Sequence, residues 1–460
     1  MINLVDATSL LQDINSGLTT PKQLVLDAIT KIESTNQRLN TTAEILRTDA
    51  EIQLNHLPTG ELSGLPISIK ECYAIKGKTI RSGSMRMKPI NCKEDSEVVK
   101  KLKNAGAVIV ARGNTSEFLL GRETDNLIYG TTNNCINPAL TAGGSSGGDA
   151  SLVGSHCVSF GIGTDLGGSC RYPAAFNGIV GFKPASGQID KTGIFPKAEN
   201  EFIESMNSPG ILTRSVRDAR LVYNVLGDKH LNSNTDISNA NFFSSNNFKV
   251  KIKDESISKA LNESINFLKT KTASYEDMDI PESGSLMTDW NLLIFGGFTD
   301  KIYEWSVTEN GSKLSFIKEL FNRLLKKQTI SNEIFSILLP FNMLKPSTSK
   351  LEKLITKVQD LRTKYYSQLG SNGVLILPTL GSLAPEHNKF RTEINKPGVI
   401  EIITPISFCN VLNLSSITIP VWKYQKDKLS SPPAIQLITK PGNEELLLNT
   451  AESLESHFQQ

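Results

Sequence analysis

The feature that most constrains this chain is a pair of glycine-rich blocks, TAGGSSGGDA at 141–150 and GIGTDLGGSCRYP at 161–173. A lone GGSSGG reads as a flexible linker, the usual meaning of clustered Gly and Ser. Linkers do not recur so soon, flanked by apolar sequence such as Val158–Ile162, so the pair marks tight turns built into a core. Nucleotide cradles are excluded by spacing. There is no Gly-x-x-x-x-Gly-Lys-Ser/Thr, and Gly161, Gly163 and Gly167 form G-x-G-x-x-x-G, one residue longer than the dinucleotide fingerprint.

Acyl transfer fits better. Gly167 and Gly168 place two residues without side chains directly before Ser169. Such a turn can aim consecutive backbone N–H groups at one point, as a tetrahedral oxyanion requires, with the serine as nucleophile. A serine needs a base. The five histidines are His56, His156, His230, His387 and His457, and no G-x-S-x-G elbow or Ser-His-Asp pattern accompanies them. Cys170 lies one residue past the turn and is the weaker nucleophile candidate. The remaining base is a lysine. Lys70 ends GLPISIK, where alternation puts Ile67 and Ile69 on one face and Ser68 and Lys70 on the other. In a dry pocket desolvation lowers a lysine toward neutrality, and only the neutral amine takes a proton. A solvated surface lysine is the ordinary alternative, and the residues alone do not select between them.

Short apolar runs (Pro66–Ile69, Ala107–Val110, Val374–Leu377, Ile417–Val421) alternate with helical stretches such as Ser96–Ala105 and Val216–Leu226. This texture predicts an α/β fold around a mostly parallel or mixed sheet. The first 50 residues read as helical, with Leu10, Leu11 and Ile14 on one face and a restart at Thr20-Pro21. Asn/Ser-rich 228–247 reads as a surface excursion within one domain, and Lys345–Lys350 as a break in a helical region.

The charge balance, 49 Lys+Arg against 47 Asp+Glu, argues against a broad nucleic-acid or membrane footprint of the chain's own. Six cysteines without C-x-x-C spacing exclude a ribbon-type zinc site and predict reduced thiols and no metal. No apolar run reaches 18 residues, so no membrane insertion is expected. The N-terminus reads neither as a signal peptide nor as an Arg-rich transit peptide.

Taken together, GLPISIKE, KLKNAGAVIVARGNTSEF, GGSSGG, GTDLGGSCRYPAAFNGIVGFKP and MNSPGILTRSVRDA resemble, in this order, blocks of the amidase signature family. VLILPTLGSLAP and PPAIQLITKPGNEELL extend the likeness thinly toward the C-terminus. The resemblance implies a large mixed, mostly parallel sheet covered by helices, in one domain over 1–460. Its parts would be a signature core at 60–226, a divergent substrate or partner half at 227–372, and a C-terminal part of the same sheet at 373–460. It implies a Ser–cisSer–Lys triad of Ser169 (nucleophile), Ser145 (bridging serine) and Lys70 (base), spaced 24 and 75 residues apart in that order. Backbone N–H groups of Leu166, Gly167, Gly168 and Ser169 would form the oxyanion hole, and an Asp165–Arg171 pair would brace the turn.

Within the family, GNTSEFLLGRETDN and SMNSPGILTRSV are similar to blocks of the glutaminase (A) subunits of tRNA-dependent amidotransferases. That likeness implies hydrolysis of free glutamine, with ammonia passed to a B subunit that binds tRNA. The B subunit would use ATP and Mg to convert Glu-tRNA(Gln) to Gln-tRNA(Gln), so this chain would carry no cofactor. A small third subunit would complete the assembly. A stand-alone hydrolase of a small amide is the alternative. Tyr303 and Glu401 are the substrate-binding candidates, and the cation for the glutamine carboxylate is left among Arg323, Arg362 and Arg391. The Asn, Ser and Lys richness resembles a fungal mitochondrial member, so a mitochondrial location is expected, with a cytoplasmic one as alternative.

Overall fold

The computed structural model describes residues 5–198, 200–234, 236–272, 274–389 and 400–459. Among these residues thirteen strands run β1 (Thr42–Ile45), β2 (Pro66–Lys70), β3 (Thr79–Ile80), β4 (Ile90–Asn91), β5 (Val108–Gly113), β6 (Gly161–Asp165) and β7 (Val180–Lys183). They continue with β8 (Ser208–Thr213), β9 (Asn241–Ser244), β10 (Ser274–Asp277), β11 (Gly373–Pro378), β12 (Ser415–Pro420) and β13 (Ala434–Thr439). Eleven form one sheet in the order β1-β5-β2-β6-β8-β7-β12-β13-β11-β9-β10, with β3 and β4 paired apart. The single sheet thus takes strands from the signature core, the divergent half and the C-terminal part alike.

The mixed, helix-covered sheet is as the sequence indicates, but its balance is corrected. Six of the ten pairings are antiparallel (β1·β5, β6·β8, β7·β8, β7·β12, β12·β13, β11·β13). Only β2·β5, β2·β6, β9·β11 and β9·β10 are parallel. Apolar runs signal burial on both faces, which helices on either side impose whatever the strand direction, so they carry no directional information. A second correction concerns 228–247, which contains β9. There Phe242 and Phe243 are buried within an Asn/Ser-rich setting that reads locally as loop. The helix break before Thr348 stands as expected, with Ser347 capping the helix Thr348–Leu369 through its side chain.

Period-2 alternation decides what β2 offers each face. Ile67 and Ile69 join the largest apolar cluster, with Ile109, Phe160, Ile162, Phe182 and Ile211. The opposite face presents Ser68 and Lys70, and the helix Gly147–Gly154 packs over it. Ser68 Oγ donates to Asp149 of that helix at 2.7 Å. A polar strand face is therefore sealed from water by a helix that begins in the first glycine-rich block. Among the described residues no helix is long and apolar enough to cross a membrane.

Candidate active site

The strand β2 carries Lys70 to its C-terminal end, where the side chain is fully buried. Its Nζ donates to three neutral hydroxyls: Ser145 Oγ at 2.7 Å, Ser146 Oγ at 2.9 Å and Thr164 Oγ1 at 2.8 Å. Among the described residues no carboxylate pairs with it. Burial lowers its pKa, and the more distant Cys72, Cys170, Asp149 and Asp165 only partly oppose that shift. Hydroxyls can donate as well as accept, so the same three contacts serve a neutral amine that takes a proton from a serine.

Ser145 follows a cis peptide bond after Gly144 and is itself fully buried. The first glycine-rich block is held against a neighbouring stretch of chain. Thr124 N–H donates to Gly143 O, and Gly147 N–H donates to Thr124 Oγ1. The second block lies directly alongside, because Ser146 N–H donates to Ser169 O at 3.2 Å. Ser169 ends the Gly-Gly turn at 7% exposure, and the Tyr172 hydroxyl shares a hydrogen bond with its side chain. Lys70, Ser145 and Ser169, far apart in sequence, are thus gathered between β2, β6 and the start of two helices.

The turn is braced from beneath. Asp165 and Arg171 are fully buried and joined twice, Nε to Oδ2 and Nη2 to Oδ1, each at 3.0 Å. Burial alone would raise the Asp165 carboxyl, but the Arg171 guanidinium holds it well below the usual carboxylate range. Arg171 also reaches Asn410 Oδ1 at 2.6 Å and the Ile406 carbonyl at 3.1 Å. Asn410 returns a hydrogen bond to Asp165. Gly168, at φ +102°, sits so close to Ile406 that a Cβ would lie 1.8 Å from its Cγ2, and Trp290 closes over Gly167 in the same way.

Of the four amides expected to face an oxyanion, that of Gly168 donates to Asp165 Oδ1 at 2.8 Å. It is engaged inside the turn, which corrects the expectation for this one residue. Among the described residues the amides of Leu166, Gly167 and Ser169 have no protein acceptor. Cys170 packs beneath, its Sγ donating to Thr164 O and its thiol pushed up by burial, which leaves it no nucleophile. His156 faces Arg214 and Lys31, and burial with those charges lowers it to about 4.

The substrate-side candidates lie elsewhere. Tyr303 is in the helix Ser283–Trp305, thirteen residues or about 20 Å of helix beyond Trp290, the residue that touches the turn. Glu401 lies in a short helix beside Ile402 and Ile403, which cluster with Tyr172, Phe176 and Ile406 at the edge of the turn. Arg323 is held by the carbonyls of Ile330 and Ser331, and Arg362 by Val411 O and Ser205 Oγ. Arg391 falls outside the described residues. Sequence reasoning missed Tyr172, Trp290, Ile406 and Asn410. Tyr172 sits within a quoted block, whereas the others come from the divergent or C-terminal parts, where no local pattern marks them. Among the described residues no cluster of His, Cys, Asp and Glu could hold a metal ion.

With this geometry in view, known proteins offer a comparison. The profile of the Amidase family matches residues 23–448. The A subunit of glutamyl-tRNA(Gln) amidotransferase from Macrococcus caseolyticus is 26% identical over 484 aligned positions, covering 98% of this chain and 96% of that one. Its counterpart from Lactobacillus acidophilus is 34% identical over 224 residues, so this alignment spans about half of either chain, 48% and 46%. Human fatty-acid amide hydrolase 2 is 26% identical over 411 residues, 86% of this chain and 75% of that one. A crystal structure of an amidase superposes with a TM-score of 0.81 at 23% identity, covering 98% of this chain and 99% of the other.

Proposed function

This chain belongs to the amidase signature family, and from that premise we propose that it is the glutamine-hydrolysing component of a tRNA-dependent amidotransferase. The observation that carries the amide chemistry is the buried Lys70 amine, bonded to Ser145 Oγ at 2.7 Å beside the Ser169 turn. Neutral Lys70 takes the Ser145 proton as Ser145 takes that of Ser169, and Ser169 Oγ attacks the amide carbon. Free amides of Leu166, Gly167 and Ser169 stabilise the oxyanion, each donor being worth about 3 kcal/mol in a dry site. The relay then runs backward. The proton returns to the leaving nitrogen, ammonia departs, and water hydrolyses the acyl-Ser169 ester to release the acid and restore the serine.

Glutamine as the amide, and ammonia transfer to a tRNA-binding B subunit that uses ATP and Mg, are supported by the full-length likeness to a bacterial amidotransferase component. A mitochondrial setting and a small third subunit belong to the same proposal. A second reading, a stand-alone hydrolase of a less polar amide, draws on the apolar cluster of Tyr172, Phe176, Met287, Ile403 and Ile406 beside the turn.

The test uses an extract depleted of this chain and assayed for glutamine-dependent conversion of glutamyl-tRNA(Gln) to glutaminyl-tRNA. Wild type should restore conversion, and Ser169→Ala should do so only with added ammonium. If neither affects conversion while wild type hydrolyses small amides, the second reading replaces the first. Amide hydrolysis by Ser169→Ala at the wild-type rate would reassign the nucleophile.

A further inference from the structure

One helix of the divergent half is inverted. The helix Phe316–Leu324 directs its polar side inward. Glu319, almost fully buried, accepts from Thr329 N–H at 2.8 Å, Thr329 Oγ1 at 2.6 Å and Ile330 N–H at 3.3 Å. Arg323, one turn on, donates to the carbonyls of Ile330 and Ser331, with its guanidinium 4.1 Å from the centre of the Phe335 ring. With the polar side committed, the apolar side has nowhere to go but outward. Ile317, Leu320, Phe321, Leu324 and Leu325, at i, i+3, i+4, i+7 and i+8, are between 47% and 75% exposed. They form one stripe, and a contiguous apolar patch of this kind marks a contact site on a protein surface.

The charge around the stripe has one sign. Lys313, Lys318, Lys326 and Lys327 are exposed, and the only acid between 312 and 328 is the buried Glu319. The nearest exposed acid upstream, Glu309, is paired with Arg81. The rim extends onto a second segment. Arg86 donates to Ser312 O and Thr329 Oγ1, which brings exposed Met85 and Lys88 to the flank of the helix. Apolar side chains outward, lysines beside them and no free anion are the chemistry of a helix that lies in the headgroup layer of an anionic bilayer. A protein partner would be expected to meet some of these lysines with acids of its own. The rim carries lysines and no exposed carboxylate between 312 and 328, the one-signed charge that an anionic lipid surface complements.

We propose that the helix Phe316–Leu324, with its lysine rim, is a peripheral docking face for a membrane surface rich in anionic phospholipid. It lies on the bilayer and does not span it, and it is independent of the amide chemistry at Ser169.

The test is co-sedimentation of the full chain with phosphatidylcholine vesicles, with and without phosphatidylglycerol. Wild type should bind the anionic vesicles and lose at least ~10-fold in affinity in about 1 M salt, where the Debye length is ~3 Å. Leu320→Glu/Leu324→Glu and, separately, Lys318→Glu/Lys326→Glu/Lys327→Glu should each weaken binding by at least ~10-fold. Both should melt at the wild-type temperature, since every substituted side chain is exposed. Leu18→Glu, on an exposed leucine far along the chain, should bind as wild type does. No binding to either vesicle, or equal binding to both, overturns the proposal. So does a dimer in light scattering that the leucine variant dissociates while vesicles are ignored, since the cover is then a second copy. Loss of B-subunit association in that variant, again without vesicle binding, overturns it in favour of a protein partner.

Discussion

Gly168→Ala probes the turn that presents Ser169. Two penalties add at this position. The backbone stands at φ +102°, where an L side chain costs about 1–3 kcal/mol. The new Cβ would also lie 1.8 Å from Ile406 Cγ2 and 2.9 Å from Tyr172 Cδ1. Carbon atoms rest about 3.5–4.0 Å apart, so a neighbour must move by ~2 Å, and overpacking of that kind costs about 1–3 kcal/mol. The expected loss is about 2–6 kcal/mol, a large part of a typical stability of ~5–15 kcal/mol.

Gly187 supplies the internal control. It has φ +96° but nothing within 4 Å of a built Cβ, so Gly187→Ala carries the backbone penalty alone. Urea denaturation of both variants should separate them by the steric share, about 1–3 kcal/mol. The double variant Gly168→Ala/Ile406→Ala should be less destabilised than the sum of its parts by a similar amount, because the alanine removes the colliding methyl. Amide hydrolysis by Gly168→Ala should fall by ~10²-fold, since the Leu166–Ser169 amides shift with the turn. If Gly168→Ala matches Gly187→Ala in stability and the Ile406 cycle is additive, the close packing that fixes this turn is refuted.

Other predictions follow from the same contacts. Lys70→Ala should lower the hydrolysis rate by at least ~10²-fold. Lys70→Arg should not restore it, because a guanidinium stays charged; near-normal turnover by either variant removes Lys70 from the relay. Wild-type turnover should rise with pH as the lowered Lys70 amine loses its proton, and a rate that falls with pH over that range contradicts a neutral base. Arg171→Met leaves Asp165 buried and unpaired and should destabilise the fold by about 3–5 kcal/mol in thermal melts, whereas Asp165→Asn/Arg171→Met should recover part of that loss. Burial raises Asp149 from 3.8 to about 7 against the opposing Ser68 hydrogen bond and the Lys70 charge. Its protonated form therefore contributes stability that is complete below the unfolded value and lost as the pH rises through about 7. Asp149→Asn should lack this decline and gain on wild type by about 1–3 kcal/mol between about pH 5 and pH 7.5. A constant difference across that window shows that Asp149 titrates normally.

The strands β2, β5, β11 and β12 lie where their apolar runs stand, and the helix Val216–Leu226 has the bounds its pattern indicates. Alternation along Pro66–Lys70 was enough to put Lys70 opposite Ile67 and Ile69, and the two glycine-rich blocks were enough to mark the turn before Ser169. Strand β9 escaped because two phenylalanines among asparagines and serines make too short a signal to outweigh their surroundings. Their burial depends on β10 and β11, which join the sheet from far along the chain. The outward stripe of the helix Phe316–Leu324 is equally hidden in sequence. Its spacing predicts an ordinary helix with an apolar face turned to the core.

By itself, then, the sequence determined the period of each element, the glycines that only a tight turn requires, and the serines and lysine capable of acyl transfer. These are local properties, set by backbone sterics and by the chemistry of single side chains. The tertiary structure alone decided which groups meet. It surrounded the Lys70 amine with three hydroxyls and engaged the Gly168 amide with Asp165. It drew Ile406 and Trp290 over the turn, and it turned Glu319 inward so that the leucines face out. The physical reason is that hydrogen-bond partners and desolvation belong to neighbours in space, and those neighbours are supplied by segments hundreds of residues apart that only the assembled eleven-stranded sheet brings together.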